Sequence, residues 1–230
     1  MLLKGRIPGR GVLIDAPLEI VPAEHVVSIL LGLYESDEVR FIRRYLHHGL
    51  DVMEIGSGIG VVSAHILGKL AKRDKLVCLE ANPNLVPGLK RNIELNAPGA
   101  EVVVMNRALD YSGKEMISLT VDRKNLGSHV RRQPGVQVRA ISLKDVIREA
   151  KLSDYALVCD AEGAETGMIL HDSEGLSRCR LLIIELHRTV HAEREYTVAD
   201  LRRALEVRHG FSLVASRHAV HVFEKAALLQ

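Results

Sequence analysis

The stretch from Asp51 to Gly60, Asp-Val-Met-Glu-Ile-Gly-Ser-Gly-Ile-Gly, constrains the fold of this chain more than any other. A short apolar run ends in three glycines at alternate positions, and helical spacing begins at once over residues 61–70. This order predicts a strand, a tight turn and the start of a helix. Gly56, Gly58 and Gly60 allow positive φ and let backbone approach a ligand closely, while the free amides of the helix start face whatever is bound there. A nucleotide-like ligand is the first expectation. The dinucleotide fingerprint needs a glycine at its sixth position, where this chain has Val61, so the pattern is Gly-x-Gly-x-Gly.

With 230 residues, 47% apolar and 26% charged, the chain can bury a full core as one domain. Within it, residues 1–48 read as an N-terminal extension with lead-in helices and residues 49–230 as the ligand-binding body. A formal net charge of +2 and the lack of a long Lys/Arg block argue against a polyanionic partner. Tryptophan is absent and aromatics make up 3%, which disfavours a surface for stacking bases. Cys78, Cys159 and Cys179 lie in or beside apolar runs without Cys-x-x-Cys spacing, as core residues in a reducing compartment do. No apolar run reaches the ~20 residues of a membrane span, and the N-terminus lacks a signal peptide's apolar region. The expected location is the cytoplasm.

In chain order, Val12-Leu13-Ile14 and Leu18-Glu19-Ile20 suggest a short hairpin or an irregular lead-in, and helical spacing follows from Ala23 and again through Val39 and Leu46. Tyr34-Glu35 falls between those helices, either in a surface turn or within reach of the site. Residues 75–80 read as a buried strand ending in Glu80, twenty residues after Gly60, where a carboxylate accepts hydrogen bonds from both ribose hydroxyls. After a third strand over residues 101–105, the loop from Asn106 to Asp110 falls where a nucleotide's base would lie. Strands over 115–121 and 136–140 are joined by a polar connection, residues 125–129, suited to a lid or hairpin. Ser142 is expected to cap a helix over 141–150.

A further buried strand, residues 155–160, delivers Asp160-Ala161-Glu162-Gly163-Ala164-Glu165, three acids that are costly to gather without a partner. The strand over 180–186 ends in Glu185-Leu186-His187, whose alternation puts Glu185 and His187 on one side. A helix over 199–207 and an antiparallel pair, 211–215 with 219–223, close the chain. Alternating strands and helices from residue 50 onward argue for an α/β fold with a mostly parallel sheet covered on both faces.

Taken together, Tyr34-Glu35, Glu54 to Gly60, Glu80-Ala81-Asn82-Pro83, Asn92 to Asn96, Ala108-Leu109, Asp160 to Glu165 and Glu185-Leu186-His187 resemble, in order and spacing, the FkbM-like family of class I S-adenosylmethionine-dependent methyltransferases. The chain departs from that pattern in two places. Glu54-Ile55-Gly56-Ser57-Gly58 stands where the family commonly has Asp-x-Gly-Ala-Asn, and Val158-Cys159 replaces a Lys-Ile/Val pair. The resemblance implies a Rossmann-like, doubly wound sheet of seven strands with a C-terminal antiparallel pair. It also implies S-adenosylmethionine as cofactor, held by Glu54, Gly56, Ser57, Gly58, Gly60, Glu80, Ala81, Asn82, Asn106, Ala108 and Asp160.

The implied reaction is O-methylation of a hydroxyl on a sugar or secondary metabolite. Alignment of the acceptor is worth ~7–11 kcal/mol and a general base ~10²–10⁴-fold, so positioning should dominate. Asp160 is the residue expected nearest the methyl group, with Glu162 and His187 orienting the acceptor or taking its proton. Asp160, Glu162, Glu185, His187 and His191 also offer ligands to a divalent metal, but no spacing motif supports one, and no residue is assigned to it. A dehydrogenase would need a third fingerprint glycine and a Tyr-x-x-x-Lys group, and the Asn/Asp-Pro-Pro-Tyr motif of amino methylation is missing at Asp160. An RNA methyltransferase and a non-catalytic S-adenosylmethionine-binding regulator stand as alternatives. The expected partner is a small-molecule acceptor rather than nucleic acid or membrane, with a homo-oligomer left open.

Overall fold

The computed structural model describes residues 6–121, 128–130 and 135–225. The chain begins with a hairpin of β1 (Arg6–Gly9) and β2 (Val12–Asp15), turned at Arg10 and Gly11, both of positive φ. Two successive positive φ values make the turn whose twist suits a two-residue hairpin. Of the two readings of this segment, a hairpin of 12–14 with 18–20 does not form, since residues 12–15 pair back with 6–9. Pro17 instead starts a turn in which its carbonyl accepts from the amides of Ile20 and Val21. Helices α1 (Ala23–Leu30) and α2 (Ser36–Tyr45) follow.

The body alternates β3 (Asp51–Ile55), α3 (Val61–Leu67), β4 (Leu76–Leu79), α4 (Val86–Asn96) and β5 (Val102–Met105). An excursion then forms a second sheet from β6 (Ala108–Leu109), β7 (Met116–Val121), β8 (Ser128–Val130) and β9 (Val136–Ile141). The connection read as a lid lies mostly outside the described residues, and its described part, β8, pairs antiparallel with β7. Helix α5 (Leu143–Ala150) is capped by Ser142, whose side chain accepts from the Asp145 amide. Then come β10 (Tyr155–Cys159), α6 (Glu165–His171), α7 (Ser173–Ser177) and β11 (Cys179–Glu185). A small hairpin of β12 (Thr189–His191) and β13 (Arg194–Tyr196), absent from the sequence reading, precedes α8 (Val198–His209). Strands β14 (Ser212–Arg217) and β15 (Val220–Glu224) end the chain.

The main sheet has seven strands in the order β14-β15-β11-β10-β3-β4-β5. All neighbours run parallel except β15, which is antiparallel to both β11 and β14. Strand order reverses between β3 and β10, and in such sheets ligands bind beyond the carboxyl ends of the strands at that switch point. The central strands are buried on both faces, which explains their unbroken apolar runs.

One face packs Met53, Val77, Leu157 and Leu182 against Val146, Met168 and Leu201. The other packs Val52, Leu76, Cys78 and Ile183 against Phe41, Ile42, Val62 and Leu89. Each fully buried side chain of this kind contributes about 1.5–3 kcal/mol. All three cysteines are free and buried. Among the described residues no helix is long and apolar enough to cross a membrane.

Asn92 and Asn96 lie one turn apart on α4 and grip the N-terminal hairpin. Asn96 exchanges both amide hydrogen bonds with the backbone of Leu13, and Asn92 does the same with Asp15. The amide of Asn92 also donates to the Ile59 carbonyl at 2.8 Å, which ties the hairpin to the glycine turn. A helix face thus substitutes for a neighbouring strand and satisfies the backbone groups of β2.

Candidate active site

At the end of β3 the three glycines of the turn all take positive φ. Gly56 lets β3 and β10 close up: a β-carbon there would lie 1.8 Å from the carbonyl oxygen of Asp160. At Gly58 it would meet nothing within 4 Å, so the loop leaves open space there. The Gly58 amide donates to Oε2 of Glu80 at 2.7 Å, and the Asn82 amide donates to Oε1 at 2.6 Å. Burial pushes the Glu80 carboxyl up to about 7, against the pull of these amides. Each oxygen keeps a second lone pair for a ribose hydroxyl.

A cleft of ≈ 780 Å³, partly open to solvent, extends from this carboxylate to Asp160. Of the residues expected to bind cofactor or act on substrate, Gly56, Gly58, Glu80, Ala81, Ala108, Asp160 and Glu162 line it. Ser57, Gly60, Asn82, Asn106 and His187 are not in its lining. Gly60 packs on α4, where a β-carbon would come within 2.9 Å of Leu89. The Asn106 side chain donates to the carbonyls of Glu80 and Ala81, so it fixes the end of β4 where a base contact was expected.

Glu54 faces a small adjoining cavity with Glu35, Glu38 and Asp160. Burial raises Glu54 to about 7, opposed by hydrogen bonds that Ser63 and Cys78 donate to it. Its Oε1 is buried without a partner among the described residues. Tyr34 and Glu35 do reach the cleft, from the segment entering α2. Glu38 was missed by the sequence reading. The signal was there: Glu35, Glu38 and Ile42 fall on one helix face at i, i+3 and i+7, and Ile42 is core. Burial raises Glu38 to about 8, and a hydrogen bond shared with Glu185 leaves the proton on Glu38 and the charge on Glu185.

His187 stands among carboxylates delivered by α6, β10 and β11. Its Nδ1 lies 3.0 Å from Oε1 of the fully buried Glu165, which also accepts from the His187 amide. Its Nε2 lies 3.4 Å from Glu185, 3.9 Å from Glu162 and 4.0 Å from Asp160. Hydrogen bonds to Glu165 and Glu185 lift the imidazole to about 11, so at neutral pH it is a cation that donates from both nitrogens. This protonation state suits orienting the carboxylates and leaves proton acceptance to an acid. Glu162 itself sits at φ 49, ahead of Gly163 at φ 103, a left-handed pair that turns the loop back into α6. Asp160 is raised to about 7 by burial and then by the charges of Glu185 and Glu162, with His187 opposing.

These residues fit S-adenosylmethionine by their chemistry. Glu80 offers two carboxylate oxygens to a ribose, Gly58 leaves room, and the buried Asp160 Oδ1 has no hydrogen-bond partner among the described residues. An acid-rich cleft is complementary to a ligand that carries a sulfonium and an ammonium group. For a divalent ion, Asp160, Glu185 and His187 offer ligand atoms within 4.8 Å of one another among the described residues. His191, also named from sequence, faces His171 instead, with 2.9 Å between their Nε2 atoms. An imidazolium must lose its proton before it can bind metal.

A sequence model of the methyltransferase FkbM domain matches residues 54–213. A ribosomal protein L11 methyltransferase of Thermosipho africanus (strain TCF52B) is 29% identical over 112 residues, covering 45% of this chain and 42% of that protein. The match therefore spans less than half the length of that curated relative. Among solved structures, ribosomal protein L11 methylase from Lactobacillus delbrueckii subsp. bulgaricus has a TM-score of 0.51 at 11% identity, over 85% of this chain and 80% of that one. Precorrin-6y C5,15-methyltransferase from Geobacter metallireducens GS-15 has a TM-score of 0.50 at 12% identity, over 93% and 94%. At these identities the structural likeness bears on the fold alone.

Proposed function

Because this chain belongs to the FkbM-domain family of S-adenosylmethionine-dependent class I methyltransferases, we propose that it methylates a hydroxyl oxygen on a small sugar or secondary-metabolite acceptor. The observation that carries this reading is the group of Asp160, Glu162 and Glu185 around the His187 cation at the carboxyl ends of β10 and β11. When bound, S-adenosylmethionine supplies a methyl group on an electrophilic sulfonium. Glu80 and the Gly58 amide hold the nucleoside, and Asp160 lines the same cleft beside Gly56. With its carboxyl near pH 7, Asp160 is matched to take the proton of an acceptor hydroxyl that would receive the methyl group, the pair of the broken carbon–sulfur bond staying on sulfur. Glu162 accepts a hydrogen bond from a neighbouring hydroxyl, and His187 keeps the acids in place. Orientation supplies the larger share of the rate, about 7–11 kcal/mol against ~10²–10⁴-fold from the base.

The test is a screen for transfer of labelled methyl to sugars, polyketides and nucleosides, run with and without magnesium. Label in a hydroxyl-bearing sugar or metabolite, lost in Asp160→Asn, is the expected result. The L11 match favours a second reading, a protein acceptor, so ribosomal protein L11 is included. Label confined to that protein or to RNA would overturn the small-molecule assignment. Tight binding of S-adenosylhomocysteine without transfer to any acceptor would favour a regulator.

A further inference from the structure

The start of α2 has two sides. Glu35 and Glu38 face the cleft and its adjoining cavity, while Ser36 and Asp37 face a separate cavity of ≈ 640 Å³, partly open to solvent. Four arginines from three distant parts of the chain line that second cavity. Arg10 comes from the β1–β2 turn, Arg40 and Arg43 from α2, and Arg217 from the end of β14.

Their charges are poorly compensated. Among the described residues Asp37 is the one carboxylate in the lining, and it is already engaged by Arg217 at 2.7 Å and by His218 at 2.6 Å. Arg43 donates to the Arg10 carbonyl and Arg10 to the Ser36 carbonyl, both neutral acceptors. The Arg40 side chain is exposed and makes no hydrogen bond or ion pair among the described residues. Guanidinium groups gathered in this way repel one another until an anion joins them. Their planar forks match the oxygens of a phosphate, each able to make paired, charge-assisted hydrogen bonds.

We infer that this cavity binds a phosphate-type oxyanion, a phosphomonoester or diphosphate, through Arg10, Arg40, Arg43 and Arg217. The positive field also reaches inward. The imidazole of buried His65 is held down to about 4, by burial first and then by Arg43 and Arg10. Among the described residues the lining contains no aromatic side chain on which a base could stack, which favours a phosphate over a nucleic acid. The inference is independent of the methyl-acceptor reading.

Calorimetric titration of the whole protein with inorganic phosphate, pyrophosphate and a nucleoside diphosphate, at ionic strength matched with sodium chloride, tests it. One saturable site is expected, weakened at least about tenfold in Arg40→Gln by loss of a charge-assisted contact. Arg40 has no structural partner to lose, and an unchanged melting curve verifies the fold; Arg10→Gln is the second variant. Binding should persist in saturating S-adenosylhomocysteine, which separates this cavity from the cofactor cleft. Binding of the inorganic probes supports a site for free anion. Binding of the nucleoside diphosphate alone supports one that reads phosphate on a larger ligand. No saturable binding, undiminished affinity in both variants, or displacement by S-adenosylhomocysteine would overturn the inference. So would affinity for single-stranded RNA that grows with length while every phosphate probe fails to bind.

Discussion

The carbonyl oxygen of Asp160 occupies the space a side chain on Gly56 would need, 1.8 Å from an added β-carbon. The contact comes where β3 and β10 end together, with the Asp160 amide donating to the Ile55 carbonyl at 3.0 Å. The residue that opens the glycine turn therefore also sets the height at which the catalytic candidate emerges. Gly56→Ala has to move that backbone while holding alanine at φ 83. The expected loss is about 2–4 kcal/mol, from left-handed strain and overpacking. Urea denaturation measures it, and wild-type stability together with wild-type cofactor binding would contradict the close approach.

Glu80 organises the cofactor end of the cleft by accepting from the amides of Gly58 and Asn82. Glu80→Ala removes those bonds and the two acceptors offered to a ribose. Affinity for S-adenosylhomocysteine should fall by about 10- to 100-fold, the scale of one or two charge-assisted hydrogen bonds. Glu80→Gln, which keeps one acceptor oxygen, should lie between. Calorimetry reads both, and equal binding by all three proteins would remove Glu80 from the site.

Burial lifts Glu54, Glu80 and Asp160 to about 7 and Glu38 to about 8, and its acid partners lift His187 to about 11. Each of these folded-state values lies above its unfolded one, so the folded protein holds extra protons in between and loses stability as pH rises. His65, His209 and His221 are held below 6.5 and act in the opposite sense, but above that pH they are neutral in both states. Between pH 6.5 and pH 8 the ligand-free protein should therefore lose stability, on the order of 1–3 kcal/mol. Melting curves across that window check the sign. A rising melting temperature would mean that these acids are ionised at little cost.

Glu165 is fully buried, and the His187 cation depends on it. In Glu165→Gln the His187 titration, followed by NMR, should move down from about 11 toward 6.5. Removing one partner of a buried pair should also cost about 3–5 kcal/mol. If His187 kept its titration in the variant, Glu185 and Asp160 would be its main supports.

Much of this arrangement is legible along the chain. The glycine spacing, Glu80 at the end of the next strand and the acids from Asp160 to Glu165 each sit next to the local pattern that places them. The Asn92 to Asn96 landmark was also visible, but its task was not. The two side chains face the backbone of Asp15 and Leu13, more than seventy residues away in sequence, and no local periodicity encodes that contact. Asn106 shows the same limit, since a loop after the third strand was legible while its amide turned out to fasten β4.

By itself the sequence determined the alternating α/β fold, the glycine turn and the carboxylate at the end of β4, because positive φ, strand burial and helix periodicity depend on neighbours a few residues apart. Only the tertiary structure decided which ionisable groups meet. Glu38 shares its proton with Glu185, His187 is held as a cation by Glu165, and two arginines of α2 meet Arg10 and Arg217 around one cavity. The protonation of a side chain is set by burial and by charges brought from distant segments, and those are properties of the packed sheet and helices.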